Sequence, residues 1–232
     1  MNGAMYDDVA EYYDKCVREG WSVHNTAIAN ILEVVGDIHG KQILDVGCGQ
    51  GVLARLLTKR GAHVTGVDLS EKLLQIATQY NYTEGFAITY LQDDAQFLSK
   101  VPAETFDGAV SNLSLMDIQD IRLAFAAVKR VLKPSGWFLF TVTHPCFRVP
   151  MAEYEAAENK ELVKIGRGYF REGSWDPNNP VGKAGEVGEH HRMLSTYINE
   201  LAKANLVIEY AREPETSESD LPTILLVKSI NT

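Results

Sequence analysis

Residues 43–51 read ILDVGCGQG, and this stretch limits the possible folds more than any other part of the chain. Ile43, Leu44 and Val46 form a short apolar run of the kind found in a buried strand. Gly47, Cys48, Gly49, Gln50 and Gly51 then turn the chain into a segment in which Val52, Leu53, Leu56 and Leu57 share one helical face. A strand, a glycine turn and a helix in that order open a parallel α/β sheet. The turn at the carboxyl end of the first strand is where such sheets hold ligands. Glycines let a ligand approach the main chain, and the helix start supplies unpaired N–H groups.

The same rhythm continues along the chain. Strands are predicted at 42–46, 63–68, 87–91, 107–111, 137–143, 207–212 and 223–229, and helices at 52–60, 71–80, 121–132 and 194–204. Ser70 is placed to cap the second of these helices, and LKPSG closes the third with a turn. Helical spacing also runs from Tyr6 to Val35, with a break at Gly20–Trp21. The expected fold is α/β: a Rossmann-like, doubly wound sheet in one domain over 1–232, with an N-terminal helical cap over 1–40. The alternation fails over 145–192, a stretch rich in Glu, Gly, Asn and Pro. It is too long for a plain connection and is expected to be a substrate lid.

The acids around the glycine turn indicate the ligand. The pattern is GxGxG, not the GxGxxG of dinucleotide sites, and Asp45 stands two residues ahead of the first glycine. A carboxylate there repels a pyrophosphate and favours a cation. Asp68, beside Leu69 at the tip of the second strand, offers two acceptor oxygens to the vicinal hydroxyls of a ribose. In QDDAQ, Asp94 can accept from an adenine amino group while the Ala95 N–H serves a ring nitrogen; Asp93 offers a competing register. Main-chain carbonyls around Ser111 and Asn112, at the end of the fourth strand, suit an ammonium group. Cys48 is read as a small residue tolerated by the loop. A nucleoside with free ribose hydroxyls and a cationic amino-acid tail describes S-adenosyl-L-methionine, whereas NAD meets only the nucleoside part.

ILDVGCGQG, GVDLS, DDAQFL, FDGAVSNLSLMDI and LKPSGWFLFTVTHP occur in an order and spacing that resembles the class I S-adenosylmethionine-dependent methyltransferases. Among these the likeness is to the small-molecule group that includes the ubiquinone and menaquinone biosynthetic enzymes, the type 11 methyltransferase domain. It covers roughly residues 41–145. YDDVAEYYD is similar to that group's N-terminal helix, whose tyrosines border the cofactor, which brings in Tyr13. HHRMLSTYINELAKANL resembles the segment returning from the lid. The resemblance implies a seven-stranded sheet with an antiparallel last strand. It also carries Asp45, Gly47 and Gly49 to the cofactor loop, Asp68 to the ribose, Asp94 and Ala95 to the adenine, and Ser111 or Asn112 to the methionine end. Where relatives often carry a histidine after the fourth strand, this chain reads Met116-Asp117.

The acceptor side is less defined. His144 follows the fifth strand at its carboxyl end, where it is either a general base or an anchor for the lid entrance. His190, His191 and Arg192 either bind a substrate carboxylate or serve structure. Tyr169, Phe170 and Trp175 either line a substrate pocket or pack the lid down. Methyl transfer needs no conspicuous nucleophile, because the donor is already activated. The expected reaction is therefore methyl transfer to a small-molecule O, N or C nucleophile. An NAD-dependent oxidoreductase and a non-catalytic S-adenosylmethionine-binding protein are the alternatives. The net charge of −9 and the absence of an NPPY-like tetrad argue against DNA as the partner, with tRNA kept as a less favoured substrate. No run approaches the roughly 20 apolar residues of a membrane span, and the start of the chain lacks a signal-like apolar stretch. Three scattered cysteines (Cys16, Cys48 and Cys146) suit a reducing cytoplasm.

Overall fold

The computed structural model describes residues 4–148, 153–157, 160–164, 168–174, 189–215 and 220–232. Its centre is a seven-stranded sheet of β1 (Gln42–Val46), β2 (His63–Asp68), β3 (Thr89–Gln92), β4 (Phe106–Asn112), β5 (Leu132–Thr143), β10 (Leu206–Arg212) and β11 (Ile224–Asn231). The spatial order is β10-β11-β5-β4-β1-β2-β3. The pairs β1–β2, β1–β4, β2–β3 and β4–β5 are parallel, whereas β11 is antiparallel to both β5 and β10. This is the expected sheet with its reversed last strand. Strand order turns back between β1 and β4, so the crevice of an open α/β sheet lies at the carboxyl end of β1.

Both sheet faces are covered, and alternate residues of one strand feed different cores. Leu44 and Val46 of β1, with Phe138 and Phe140 of β5, join Phe125 of α5 (Ile121–Val131) and Leu201 of α6 (Leu194–Lys203) on one face. Ile43, Val110 and Leu139 face the other way, toward Ile28 and Ile31 of α2 (Ser22–Val34) and Leu53 and Leu57 of α3 (Val52–Lys59). Phe125, Phe138 and Phe140 form a buried aromatic triangle with ring centroids 5.3–6.0 Å apart. Each such ring contributes on the order of 2–3 kcal/mol by burial.

The predicted break at Gly20–Trp21 separates α1 (Ala4–Arg18) from α2, with Gly20 in the left-handed region at φ 88°. Ser70 caps α4 (Glu71–Glu84) through a bond from the Leu73 N–H at 3.1 Å. This helix runs past the expected end at Tyr80 and stops at Gly85, whose φ of 73° supplies the left-handed terminus. The turn expected at LKPSG lies inside β5 as a bulge. Phe106 pairs with Leu132, Gly108 pairs with Trp137, and Ser135 takes φ 62° between them. The 145–192 segment contains regular pairing that periodicity did not reveal. β6 (Glu153–Ala157) and β7 (Lys160–Lys164) form an antiparallel ribbon, and β8 (Gly173–Ser174) pairs with β9 (His190–His191). Among the described residues no helix is long and apolar enough to cross a membrane.

Candidate functional site

The glycine turn is held against the second strand. The N–H groups of Gly47 and Cys48 donate to the Val67 carbonyl at 2.8 and 3.0 Å. Arg55 of α3 fixes the far side by donating to the main-chain and side-chain oxygens of Gln50, with its guanidinium 4.3 Å from the Tyr80 ring centre. Gly47 has φ 69°, and a Cβ on it would stand 2.4 Å from the Ser114 hydroxyl oxygen. Ser114 bonds Ser111 at 2.6 Å and donates to the Val46 carbonyl at 3.0 Å, so β1 and the end of β4 are joined through the loop.

Asp45 is 1% exposed, and its Oδ2 has no hydrogen-bond partner among the described residues. Burial, and then repulsion from Asp68, pushes its carboxyl up to about 7 against a backbone bond from Ala54. Asp68 accepts the Gly49 N–H at 2.8 Å and the Ser70 N–H at 2.9 Å. Burial raises its pKa, and these amides and that of Leu69 oppose the rise. Two carboxylates thus sit under a glycine loop, one with an orphaned oxygen, and this fits a ligand that brings positive charge. Leu69 is 40% exposed beside them.

Tyr13 of α1 lies over this loop, its ring 3.4 Å from where a Gly49 Cβ would be. Its hydroxyl stands 3.4 Å from His24 Nε2, and burial lowers the His24 pKa to about 4. Burial raises the Tyr13 phenol above its ordinary range, and the carboxylates of Asp68, Asp117 and Asp45 add to the rise. α1 is tied down through Asp7, which accepts from the Ser70 hydroxyl at 2.6 Å, and through Asp14, which accepts from Tyr80 at 3.0 Å.

Asp94 is half-buried after β3 and accepts from the Gln96 main chain at 2.8 Å. Ala95 follows it and packs against the core. Asp93 is occupied elsewhere, taking the Lys100 N–H at 2.6 Å. Ser111 and Asn112 are buried at the end of β4, and Asn112 Oδ1 accepts from the Thr141 hydroxyl at 2.9 Å.

The acceptor-side residues are distributed differently. His144 is buried, its Nε2 2.7 Å from Glu213 Oε1 and its Nδ1 accepting from the Cys146 N–H at 3.2 Å. Both nitrogens are occupied, tying the end of β5 to the chain after β10. Arg192 donates to the carbonyls of Leu115, Ile118 and Gln119, so its guanidinium pins the turn that follows β4. His191 Nε2 donates to the Tyr169 carbonyl at 2.8 Å, and burial lowers its pKa. Tyr169 packs on His191 and Phe170, while Phe170 is 80% exposed. Trp175 lies outside the described residues.

Two residues that the sequence reading named only in passing, Tyr6 within YDDVAEYYD and Asp117 after the fourth strand, meet in the fold. Tyr6 donates to Asp117 Oδ2 at 2.9 Å, and Asp117 Oδ1 is buried with no partner among the described residues. Burial and the Glu189 carboxylate push Asp117 up to about 8, against the Tyr6 bond and the Arg192 charge. The signal was present: Tyr6 and Tyr13 are seven apart, on one face of α1. Met116, next to Asp117 in the chain, lines a small pocket of about 10 Å³ together with Thr143, Arg148, Glu189, Arg192 and Tyr197. Among the described residues no cluster of His, Cys, Asp and Glu is arranged to hold a metal ion.

A family model described as a methyltransferase domain matches residues 44–140. The chain is 33% identical over 111 residues to a ubiquinone biosynthesis O-methyltransferase of Bordetella avium, covering 48% of this chain and 46% of that protein. It is 32% identical over 139 residues to its namesake in Pseudomonas syringae, covering 60% of this chain and 59% of that one. The chain thus spans about half the length of the curated relatives it matches. The crystal structure of an S-adenosylmethionine-dependent methyltransferase from Mesorhizobium loti superposes with a TM-score of 0.77 at 30% identity, over 88% of this chain and 97% of that one. A Listeria monocytogenes structure described as a putative S-adenosylmethionine-dependent methyltransferase gives 0.72 at 25% identity, over 90% and 99%. Likeness to the Mesorhizobium protein through nearly its whole length, with a family match that begins at the glycine loop, places this chain among the S-adenosylmethionine-dependent methyltransferases.

Proposed function

We propose that the protein transfers a methyl group from S-adenosylmethionine to a nucleophilic O, N or C atom of a small molecule. The observation carrying this reading is the buried Asp45 and half-buried Asp68 beneath the glycine loop, with an orphaned Asp45 oxygen that a cationic ligand would satisfy. Family membership favours S-adenosylmethionine over the dinucleotide alternative. The Bordetella and Pseudomonas relatives, named as ubiquinone biosynthesis O-methyltransferases, support a small-molecule acceptor.

When bound, the cofactor supplies a methyl group activated by its sulfonium. The chain's own residues bind and align. Asp68 holds the ribose hydroxyls, and Asp94 with the Ala95 amide reads the adenine. Main-chain carbonyls at Ser111 and Asn112 receive the ammonium, and Tyr13 covers the loop. The 145–192 segment excludes water and selects the acceptor. His144, with both ring nitrogens engaged, acts by holding the entrance of that segment in place.

Calorimetric titration with S-adenosylmethionine and S-adenosylhomocysteine tests the cofactor assignment, and NADH titrated in parallel tests the rival. Turnover to S-adenosylhomocysteine across a panel of phenols, amines and carbon acids then separates an enzyme from a binding protein. Micromolar binding with no turnover on any acceptor would favour the non-catalytic alternative.

A further inference from the structure

We infer that the methyl acceptor is an amine, held with its nitrogen against Asp117 Oδ1 by a carboxylate that Tyr6 orients. This rests on the methyltransferase reading above and names the acceptor class of that site. Asp117 ends the turn after β4 that Arg192 pins. Its charge acts on Tyr13, which covers the glycine loop, and its neighbour Met116 lines the small pocket. One oxygen is committed to the Tyr6 hydroxyl at 2.9 Å, and the other is buried without a hydrogen-bond partner among the described residues. An unpaired buried acceptor is costly unless something donates to it.

The charges around Asp117 indicate what donates. Tyr6, Tyr13, Asp68, Glu189, Arg192 and Tyr197 act on it or feel its charge. Glu189, in the pocket wall, is a second acid whose pKa burial raises. The guanidinium of Arg192 is engaged by three carbonyls, and the charge of Arg148 acts on Glu189. A neutral hydroxyl brings a donor but no charge to these two acids, whereas an ammonium group offers both. The transfer balances without another reactant. One N–H proton passes to Asp117 Oδ1, the freed lone pair forms the N–C bond, and the C–S bond breaks with its electron pair on sulfur. Tyr6 is a positioning residue in this scheme.

The test uses the full chain saturated with S-adenosylhomocysteine, titrated calorimetrically with benzylamine and 2-phenylethylamine and with benzyl alcohol and 2-phenylethanol. The amines should bind about tenfold or more tighter than their alcohols, within the range of a charge-assisted hydrogen bond. Asp117→Asn should abolish that preference and leave the affinity for S-adenosylhomocysteine within about threefold, which also shows that the variant is folded. Tyr6→Phe should weaken amine binding by a smaller factor. At pH 7, amine binding should release a proton in the wild type and none in Asp117→Asn, read from the dependence on buffer ionisation enthalpy. Equal affinity for amines and alcohols, a preference that survives Asp117→Asn, or no amine binding by protein that binds S-adenosylhomocysteine would overturn the inference. Failure to bind S-adenosylhomocysteine would instead overturn the donor reading.

Discussion

Gly47 lies directly beneath Ser114, so that a single added carbon at position 47 would meet the serine hydroxyl at 2.4 Å. The same hydroxyl bonds Ser111 and the Val46 carbonyl. The tip of β4 and the turn after β1 therefore depend on a missing side chain. Gly47→Ala should lower stability by about 2–4 kcal/mol, combining a left-handed φ with overpacking. Adding Ser114→Gly should recover the overpacking part and leave the backbone part. A double-mutant cycle from thermal denaturation measures the coupling, and strict additivity would mean that the two residues do not meet.

Asp68 holds the loop, and the proposed function gives it the ribose as well. Asp68→Ala removes the acceptor for the Gly49 and Ser70 amides. S-adenosylhomocysteine affinity should fall by about tenfold to a hundredfold, with stability lowered by roughly 1–2 kcal/mol. Unchanged calorimetric affinity in a folded variant would remove the ribose assignment.

The raised pKa of Asp45 makes stability depend on pH in a defined direction. The folded protein binds this proton more tightly than the unfolded chain, so ionising Asp45 costs stability. The cost begins near the unfolded value of about 4 and grows as pH rises until the folded value of about 7 is passed. Wild type should therefore lose stability relative to Asp45→Asn across that window, by at most a few kcal/mol, and run parallel to it above. Urea denaturation of both proteins from pH 4.5 to 8.5 checks this. A constant difference would mean that the carboxyl is unperturbed.

Ligand binding should reverse the sign. A cationic ligand favours ionised Asp45, so S-adenosylmethionine, with its sulfonium charge, should bind more tightly as pH rises from 6 to 8, and the slope should be reduced in Asp45→Asn. Affinity that is flat over that range would show that Asp45 does not sense the ligand.

His144 joins the end of β5 to Glu213 and to the Cys146 amide. Removing the imidazole strands a buried N–H, so His144→Ala should cost about 1–3 kcal/mol of stability. S-adenosylhomocysteine affinity should be retained. A variant of unchanged melting temperature that loses only turnover would restore the general-base reading.

Local chemistry determined much of this protein in the sequence itself. ILDVGCGQG specifies a strand, a glycine turn and a helix, because apolar alternation and glycine placement are short-range properties. The same holds for Ser70 as a cap, for the break at Gly20 and for the order of the strands. The acids at strand tips were legible because an α/β sheet gathers those tips at one edge. What the side chains do depended on neighbours far along the chain. His144 has the sequence position of a base, yet Glu213, sixty-nine residues later, occupies its Nε2. Arg192 resembles a carboxylate clamp, yet the carbonyls that engage it lie more than seventy residues earlier. Tyr6 and Asp117 carry no shared motif and meet across 111 residues. Hydrogen bonding and desolvation depend on separation in space, and only the folded chain sets those separations.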